Sequence, residues 1–430
     1  MRVEIIDDRE RWNRFVEGQP TGNITQTWEW AELGSRLGSQ ALRLGAIAEA
    51  GDVAVTADAA GAANAGNADA NGAAYQPGEL CGALLLIVER APVLGRPYLY
   101  APRGPVVADP GGPALAALVA RVAEEARRTG SFMLKVEPNV ADGDATWLAA
   151  LTKLGFVVNP YATHPRRSWT LDIRPDEATL LANMKDKWRY NIRLAGRKGV
   201  VVRAANPADE ATFTADLATF YTIYRETAQR DGIFIHEQAH YDDFLRLYGA
   251  RDAAALLIAE FEGAPIAALI VARCGTVATY MFGASSNRER NRMPNHLLQW
   301  TAINWAKARG CRLYDFRAIA EVLEPDEDMY SLYTYKQGFG GQSLLTLTTH
   351  DLPYQAPVYW AYRRTLTAKR ALVRWRHERE LRRREREHAP VAAGAKAGAK
   401  ANADKDGAAT ADNQPGKQPG KASVAPGEGA

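Results

Sequence analysis

Hydrophobic and polar residues follow two periods along the chain, and in the first half these periods alternate. Runs with period-two alternation and β-branched content predict strands near residues 2–6, 42–48, 80–88, 97–101, 131–136 and 166–172. Segments with a 3.6-residue period predict helices at 8–17, 26–37, 113–129 and 144–153. The first half is therefore a mixed α/β region.

The second half repeats this order after a predicted helix at 176–198. Strands are predicted at 200–204, 254–262, 265–273, 277–284, 312–316 and 343–349. Helices are predicted at 207–229, 237–249, 292–310 and 328–337. Turn chemistry supports these positions, because Asn206-Pro207 opens one helix and Gly310 closes another. We interpret the repetition as two similar units in tandem.

Composition places the chain among globular proteins but distributes charge unevenly. The 430 residues are 47% hydrophobic and 24% charged, which excludes wholesale disorder. Residues 1–361 carry 37 basic and 42 acidic side chains, whereas 362–388 carry 11 basic and 4 acidic ones. The body thus has no overall attraction for polyanions, and binding of nucleic acid or anionic lipid requires a local patch.

Three segments depart from the globular pattern. Residues 50–78 are rich in Ala, Gly, Asn and Asp and are predicted to be a disordered loop. Residues 363–388 predict one basic helix, and the tail 389–430 is predicted to be disordered. No apolar run reaches the ~20 residues that a membrane span needs. The charged N-terminus lacks a signal-peptide pattern, so we expect a cytoplasmic protein, and the three cysteines suit reduced core thiols.

The element order βααβββαβαβ is similar to the acyltransferase fold of Gcn5-related N-acetyltransferases. We therefore expect an α/β (α+β) fold with two tandem acyltransferase-like domains, each a mixed sheet flanked by helices. The expected first domain is 1–167, completed by residues 343–361, and the expected second domain is 168–342. The basic helix would follow as residues 362–388.

Six motifs in order resemble the FemABX peptidyltransferases over roughly residues 1–361. They are ITQTWEWAELGSRLG, LLANMKDKWRYNIRLAGRKGV, YRETAQRDGIFI, TYMFGASSNRERNRMPNHLLQWTAINWAKARG, LYDFRAI and YTYKQGFGG. The resemblance implies an aminoacyltransferase that moves an amino acid from aminoacyl-tRNA to the stem peptide of a peptidoglycan precursor. The implied acceptor is a nucleotide- or lipid-linked muramyl pentapeptide.

YTYKQGFGG is the most specific of these motifs. Lys336 is a single cation between aromatic residues, just before glycines that would let the backbone approach a ligand. The resemblance implies that Lys336 contacts substrate and stabilises the oxyanion of the attacked ester, a contribution on the order of 3 kcal/mol. The alternative is a surface lysine in a glycine-rich turn.

Other candidate substrate contacts lie at the ends of predicted elements. Guanidinium groups bind phosphate and carboxylate in a bidentate manner, so Arg230 and Arg317 are candidate anion clamps, although both also have acidic neighbours to pair with. Further candidates in the substrate site are Tyr280, Asp315, Tyr335 and Arg36. For Tyr280 the alternative is a packed tyrosine in a core strand, and for Asp315 it is a structural hydrogen bond that closes its strand. Arg36 stands near a position where many family members carry a lysine.

A basic stripe within LLANMKDKWRYNIRLAGRKGV is a candidate tRNA contact. Arg189, Arg193 and Arg197 recur every four residues and would lie on one helix face. Such a stripe could follow the phosphates of an acceptor arm, with strong salt dependence. A solvated helix face is the alternative.

The sequence gives weaker support for a zinc protease and for an acyl-CoA transferase. HEQAH at 236–240 matches a zinc-protease pattern, but GIFI directly precedes His236 and no third ligand follows. An acyl-CoA N-acyltransferase would need a glycine-rich pyrophosphate loop, yet no glycine occurs between Gly283 and Gly310. We therefore expect no metal and no cofactor. A non-catalytic RNA-binding protein of this fold remains open, as does peripheral contact of 362–388 with an anionic inner membrane.

Overall fold

The computed structural model describes residues 1–52, 75–92, 94–320, 323–324 and 329–388. Most of the predicted loop 50–78 and the whole predicted tail 389–430 lie outside these residues. Contacts group the chain into a compact unit, Met1–Thr365, and a second unit from Leu366 onward. The division of the first unit into domains at residue 167 stays a prediction, because both sheets belong to this one unit.

The described residues form fifteen strands and eleven α-helices, numbered here in chain order. The strands are β1 (Arg2–Ile5), β2 (Gln40–Ile47), β3 (Leu80–Arg90), β4 (Pro97–Ala101), β5 (Val106–Val107), β6 (Met133–Val136), β7 (Val157–Asn159), β8 (Arg167–Asp172), β9 (Val200–Ala204), β10 (Ala254–Phe261), β11 (Ala264–Cys274), β12 (Val277–Ser285), β13 (Leu313–Ala318), β14 (Gln342–Leu345) and β15 (Thr349–Pro353). The helices are α1 (Arg9–Gly18), α2 (Trp28–Arg36), α3 (Pro113–Thr129), α4 (Ala145–Lys153), α5 (Glu177–Asn183), α6 (Asp186–Arg197), α7 (Glu210–Asp231), α8 (Gln238–Gly249), α9 (Pro294–Ala308), α10 (Tyr330–Gln337) and α11 (Ala356–His388).

The strands form two mixed sheets with matching topology. The first has the order β1-β2-β3-β4-β6-β15-β7, with β5 paired to β3, and the second has the order β14-β8-β13-β12-β11-β10-β9. Each contains an antiparallel meander followed by one parallel neighbour, β4 with β6 and β12 with β13. A helix connects each parallel pair, α3 in the first sheet and α9 in the second.

The two sheets exchange strands. β8 follows β7 in sequence but pairs with β13 and β14 in the second sheet. β15 follows β14 but pairs with β6 and β7 in the first sheet. The chain therefore crosses between the sheets twice, and side chains from both repeats meet near these crossings.

The predicted helix at 176–198 is two helices, α5 and α6. Met184 breaks it by taking an extended conformation with its side chain buried. The Arg189 guanidinium donates to the backbone carbonyls of Leu181, Ala182 and Met184 at 3.3, 2.7 and 3.1 Å, which satisfies the exposed carboxyl end of α5. Helical periodicity continues across such a break, so the sequence pattern does not reveal it.

Two further elements differ from the prediction near the C-terminus. The single strand predicted at 343–349 is β14 and β15, separated by a turn at which the chain changes sheet. The basic helix begins at Ala356 rather than residue 363, since Tyr359 and Tyr362 are buried and extend the helical face. No helix in the described part of the chain has the length and apolar character needed to cross a bilayer.

The ITQTWEW motif holds the two repeats together internally. Gln26 is fully buried and bonds to the backbone of Leu85 and Pro102, while the Thr27 hydroxyl lies 2.7 Å from that of Tyr248. The buried Glu29 carboxylate accepts hydrogen bonds from Arg9 and Arg251. One hydrophobic cluster accordingly contains residues of both halves.

Candidate active site

A cavity of about 280 Å³ lies where the two sheets exchange strands. Its second-repeat wall comes from β12, β13 and α10, including Tyr280, Asp315, Arg317 and Lys336. Side chains of the first repeat, including Arg103 and His164, form the opposite wall. Four of the predicted site residues are thus brought together in one concave site, which is the usual form of a ligand site.

Lys336 is a buried cation on the last turn of α10. Only 3% of the residue is exposed, and its Nζ donates to the Ala318 carbonyl oxygen at 2.6 Å. Burial lowers the pKa of the ammonium to about 7, helped by the Arg317 charge and opposed by Asp315. The side chain can therefore gain or lose its charge near neutral pH.

The glycines after Lys336 serve packing within the protein. A Cβ on Gly338 would lie 2.1 Å from the Trp188 indole, and one on Gly341, at φ +90°, would lie 2.1 Å from the Thr170 carbonyl oxygen. At both positions protein atoms fill the space beside the glycine, and the approach of a ligand to this backbone stays a prediction. The two glycines let α10 and β14 pack closely enough to place Lys336 at the cavity.

Asp315 and Arg317 lie on β13, where the pairing with β8 is irregular. Arg317 has φ +62°, a conformation that costs a non-glycine residue about 1–3 kcal/mol. Its backbone N–H donates to the Asp315 carboxylate at 2.7 Å, and its guanidinium donates to the Met281 carbonyl at 3.2 Å. Burial raises the pKa of Asp315 and lowers that of Arg317. This strain turns the strand end so that both charges line the cavity.

Arg103 is a cavity residue that sequence reasoning missed. It follows β4 in the turn before Gly104, also at positive φ (51°), and donates to the Thr346 hydroxyl at 2.7 Å and the Pro165 carbonyl at 2.6 Å. With Arg317 and Lys336 it gives the cavity three cationic groups against the carboxylate of Asp315. The arrangement suits a substrate that carries or develops negative charge.

Tyr280 lies on β12 with its hydroxyl over Gly283. A Cβ on Gly283 would lie only 1.6 Å from that hydroxyl oxygen, so the glycine provides the space that the phenol occupies. Burial raises the pKa of Tyr280. The phenol therefore stays protonated at neutral pH and can donate a hydrogen bond into the cavity.

On the opposite wall, His164 contacts the buried residues Tyr100 and Glu137 behind the cavity lining, and this network was also missed. The Tyr100 hydroxyl donates to Glu137 Oε2 at 2.6 Å, and His164 Nδ1 lies 2.8 Å from the same oxygen. Glu137 directly follows β6 and Asp315 lies within β13, so in each repeat a carboxylate comes from the strand that pairs in parallel after the connecting helix. That correspondence between repeats was the available sequence signal.

Three predicted site residues lie outside the cavity lining. Tyr335 packs against Trp188 and His296 and donates to the Asn295 carbonyl at 3.0 Å. Arg230 pairs with Asp231 and also donates to the Ser285 carbonyl at 2.7 Å. Arg36, half exposed at the end of α2, pairs with Asp243.

The predicted basic stripe lies on α6 and splits into two kinds of arginine. Arg189 is held by Asp186 and the carbonyls at the end of α5. Arg193 and Arg197 are exposed, and Arg197 lies over the Tyr190 ring with its guanidinium carbon 5.6 Å from the centroid. Of the three, Arg193 and Arg197 are thus the ones placed to meet a large partner.

Comparison with known proteins agrees with this architecture. Residues 182–337 match the family model described as acetyltransferase (GNAT) domain. The lipid II:glycine glycyltransferase of Staphylococcus saprophyticus is 20% identical over 83% of this chain and 94% of its own length. The enzyme of the same name from Staphylococcus aureus is 23% identical over 80% of this chain and 91% of its own length.

A solved structure extends the similarity to the fold. The crystal structure of FemX superposes with a TM-score of 0.71 at 20% identity and covers 84% of this chain and 100% of its own. The predicted fold class, tandem acyltransferase-like units with mixed sheets and flanking helices, is confirmed. By motifs, relatives and fold together, the chain is similar to FemX and to the lipid II:glycine glycyltransferases, and it shares the GNAT-like fold.

Proposed function

We propose that this protein is an aminoacyltransferase that adds an amino acid from aminoacyl-tRNA to the stem peptide of a peptidoglycan precursor. The observation that carries the proposal is the buried Lys336 ammonium at a cavity that also contains Arg103 and Arg317. The relatives named lipid II:glycine glycyltransferase support a transferase of the peptidoglycan interpeptide bridge. The names of these relatives do not mention tRNA, and the aminoacyl-tRNA donor is part of what we propose.

The reaction needs positioning and charge stabilisation more than chemical activation of the donor. The acceptor amine attacks the ester carbonyl carbon, a C–N bond forms, and negative charge collects on the carbonyl oxygen. A protonated Lys336 in a water-poor site stabilises that oxyanion, and Tyr280 can add a hydrogen bond. The C–O bond to the tRNA ribose then breaks, and the ribose oxygen leaves as a hydroxyl.

The loop after β12 argues against acyl-CoA as donor. In an acyl-CoA enzyme this loop would present free N–H groups to a pyrophosphate. Here the Glu226 carboxylate accepts the Asn287 N–H at 2.7 Å and the Ser286 hydroxyl at 3.3 Å. The Asn287 N–H is therefore not free to bind the pyrophosphate of coenzyme A.

A donor screen tests the proposal. Purified protein is offered a muramyl-pentapeptide acceptor with radiolabelled aminoacyl-tRNA or with acyl-CoA. We expect label in the acceptor only with aminoacyl-tRNA, and Arg193→Glu with Arg197→Glu should raise the KM for tRNA without changing kcat. Turnover with acyl-CoA alone would overturn the proposal, and tRNA binding without transfer would favour a non-catalytic RNA-binding role.

If the acceptor is linked to a lipid, the basic part of α11 after Thr365 can bind the anionic membrane surface that holds this lipid. Leu372 and Trp375 are about half exposed within α11, among arginines that match an anionic surface. We expect removal of residues 366–430 to lower binding to anionic liposomes in low salt, with zwitterionic liposomes as the control. The truncation begins after Thr365 because Tyr362 is buried against Phe132. Unchanged binding would contradict this contact.

A further inference from the structure

His164 lines the same cavity as Lys336 but belongs to the other repeat. It lies between β7 and β8, and its side chain is 23% exposed. Neither the motifs nor the resemblance to FemABX transferases drew attention to it. The proposed reaction needs a group that accepts a proton from the attacking amine, and Lys336 in its cationic form cannot do so.

Hydrogen bonds determine which nitrogen of His164 is available. Nδ1 lies 2.8 Å from Glu137 Oε2 and 2.7 Å from the Tyr100 hydroxyl, whose own proton goes to Glu137. A carboxylate only accepts, so Nδ1 carries the ring proton and donates it. The lone pair of the neutral ring is then on Nε2, the nitrogen that Glu137 does not bind.

Glu137 is a fixed negative anchor for this ring. Burial by itself would raise the pKa of its carboxyl, but hydrogen bonds from His164, Tyr100 and the Thr163 N–H hold the pKa at about 2. The Thr349 hydroxyl donates to its other oxygen at 2.8 Å. A carboxylate held from four sides cannot rotate, so it fixes the orientation of the imidazole.

We propose that His164 Nε2 takes the proton from the acceptor's amine, with Glu137 as the positioning residue. The inference rests on the proposed function, because that reaction supplies an amine acceptor. The amine arrives as an ammonium, R–NH₃⁺, and one proton moves to Nε2. The neutral amine attacks the ester, and the adduct's nitrogen passes a proton to the departing ribose oxygen. Amide and free hydroxyl result, and one proton remains on the imidazole for release to solvent.

The two walls of the cavity therefore act on different reacting groups. Lys336 on the second-repeat wall meets the carbonyl oxygen, whereas His164 on the first-repeat wall meets the nucleophile. An acceptor bound between the walls would present its amine to one repeat and its target carbonyl to the other. The strand exchange between the sheets is what gives both repeats access to one cavity.

Two variants separate a proton acceptor from a structural histidine. In His164→Asn the amide nitrogen takes the place of Nδ1 and still donates to Glu137, but nothing replaces Nε2. In His164→Ala the ring is absent and leaves room for added imidazole. We expect both to lose about 10²–10⁴-fold in kcat with KM values for donor and acceptor within about threefold of wild type.

Imidazole supplies the decisive readout. Added to His164→Ala it should restore at least tenfold of the lost rate, whereas His164→Asn, whose amide already occupies the Nδ1 position beside Glu137, should respond less. Thermal unfolding of both variants checks that the full chain is folded. Wild-type-like kcat in His164→Asn, or no response of folded His164→Ala to imidazole, would overturn the inference.

The assay also separates this inference from the proposed function. If the wild type transfers only from acyl-CoA, the proposed donor is wrong, and the same variants then report on amine deprotonation in that reaction. If the wild type transfers from aminoacyl-tRNA while His164→Asn is fully active, the proposed function holds and the inference fails. Absence of transfer from every donor overturns both.

Discussion

The two walls of the cavity bury charge in opposite ways. Behind the first-repeat wall, Glu137 accepts four hydrogen bonds, one of them from the wall residue His164, and its pKa is held at about 2. On the second-repeat wall, Lys336 donates to one backbone carbonyl, and burial shifts the pKa values of Lys336, Asp315 and Arg317 toward their neutral forms. The buried charge of Glu137 is thus compensated by hydrogen bonds, whereas the buried charges of the second-repeat wall have few partners.

This difference in hydrogen bonding indicates which charged groups act on the substrate and which fix the structure around them. A carboxylate with its lone pairs occupied gains little from a ligand, so Glu137 contributes to orientation and stability. A buried ammonium with few partners gains most when negative charge develops beside it. The strained backbone of Arg317 lies on the second-repeat wall, which is the one with fewer hydrogen bonds to its charges.

The largest expected effect is on Lys336. Lys336→Met keeps the side-chain length and removes the cation, and we expect kcat for aminoacyl transfer to fall about 10³-fold, the size of a lost oxyanion donor. Its thermal unfolding temperature should not fall, since the buried charge is costly to keep. Lys336→Arg is the matched control and should retain part of the activity. A methionine variant within tenfold of wild type would remove the basis of the comparison.

Glu137→Gln tests whether the four hydrogen bonds to this carboxylate stabilise the fold. We expect the free energy of unfolding to drop by about 1–3 kcal/mol, because the amide cannot accept from all four donors. Urea denaturation measures the change, and Thr349→Val, which removes a single donor, should cost less. The low pKa of Glu137 also stabilises the fold above pH 4.5, and this contribution is lost as the pH falls toward 2. Wild-type stability of the glutamine variant would contradict the assignment.

Gly283→Ala tests whether the position of the Tyr280 hydroxyl on the second-repeat wall matters for catalysis. The new methyl group collides with the Tyr280 hydroxyl, so we expect the phenol to move and kcat/KM to fall about tenfold, or ~1.4 kcal/mol. Tyr280→Phe removes the colliding oxygen, and the double variant should therefore show less than the summed loss. Strict additivity would indicate that the two residues act separately.

The smallest expected effect is the pH dependence of Lys336. Its pKa of about 7 means that the cation is lost as the pH rises through 7, so the rate should fall about fivefold between pH 7 and 8. In Lys336→Arg this decline should be absent, because a guanidinium stays charged. Stability moves the other way: from about pH 7 to 10.5 only the unfolded lysine holds the proton, so this contribution to stability rises with pH.

Local pattern allowed much of the fold to be predicted. Helices α3 and α7 begin and end close to their predicted bounds, because Pro113 and Asp209 start them and Gly130 and Gly232 end them in the left-handed conformation. The break between α5 and α6 escaped prediction, because Met184 is extended for reasons of tertiary packing. The same holds for the turn that separates β14 from β15.

The candidate site was predicted on one wall only. Lys336, Asp315, Arg317 and Tyr280 were found through motifs and strand ends, and they meet in the cavity. Tyr335, Arg230 and Arg36 have the right chemistry but point into other contacts. Arg103, Glu137 and His164 lie more than 110 residues before the second-repeat wall in sequence, and no local pattern relates them to it.

Residue periodicity and turn chemistry by themselves determined the repeated order of helices and strands, since both act over a few neighbouring residues. Tertiary structure alone decided that β8 and β15 change sheets, that the glycines after Lys336 meet Trp188 and Thr170, and that His164 faces the same cavity as Lys336. These outcomes depend on burial and on pairing between distant segments, which the order of residues along the chain does not specify locally.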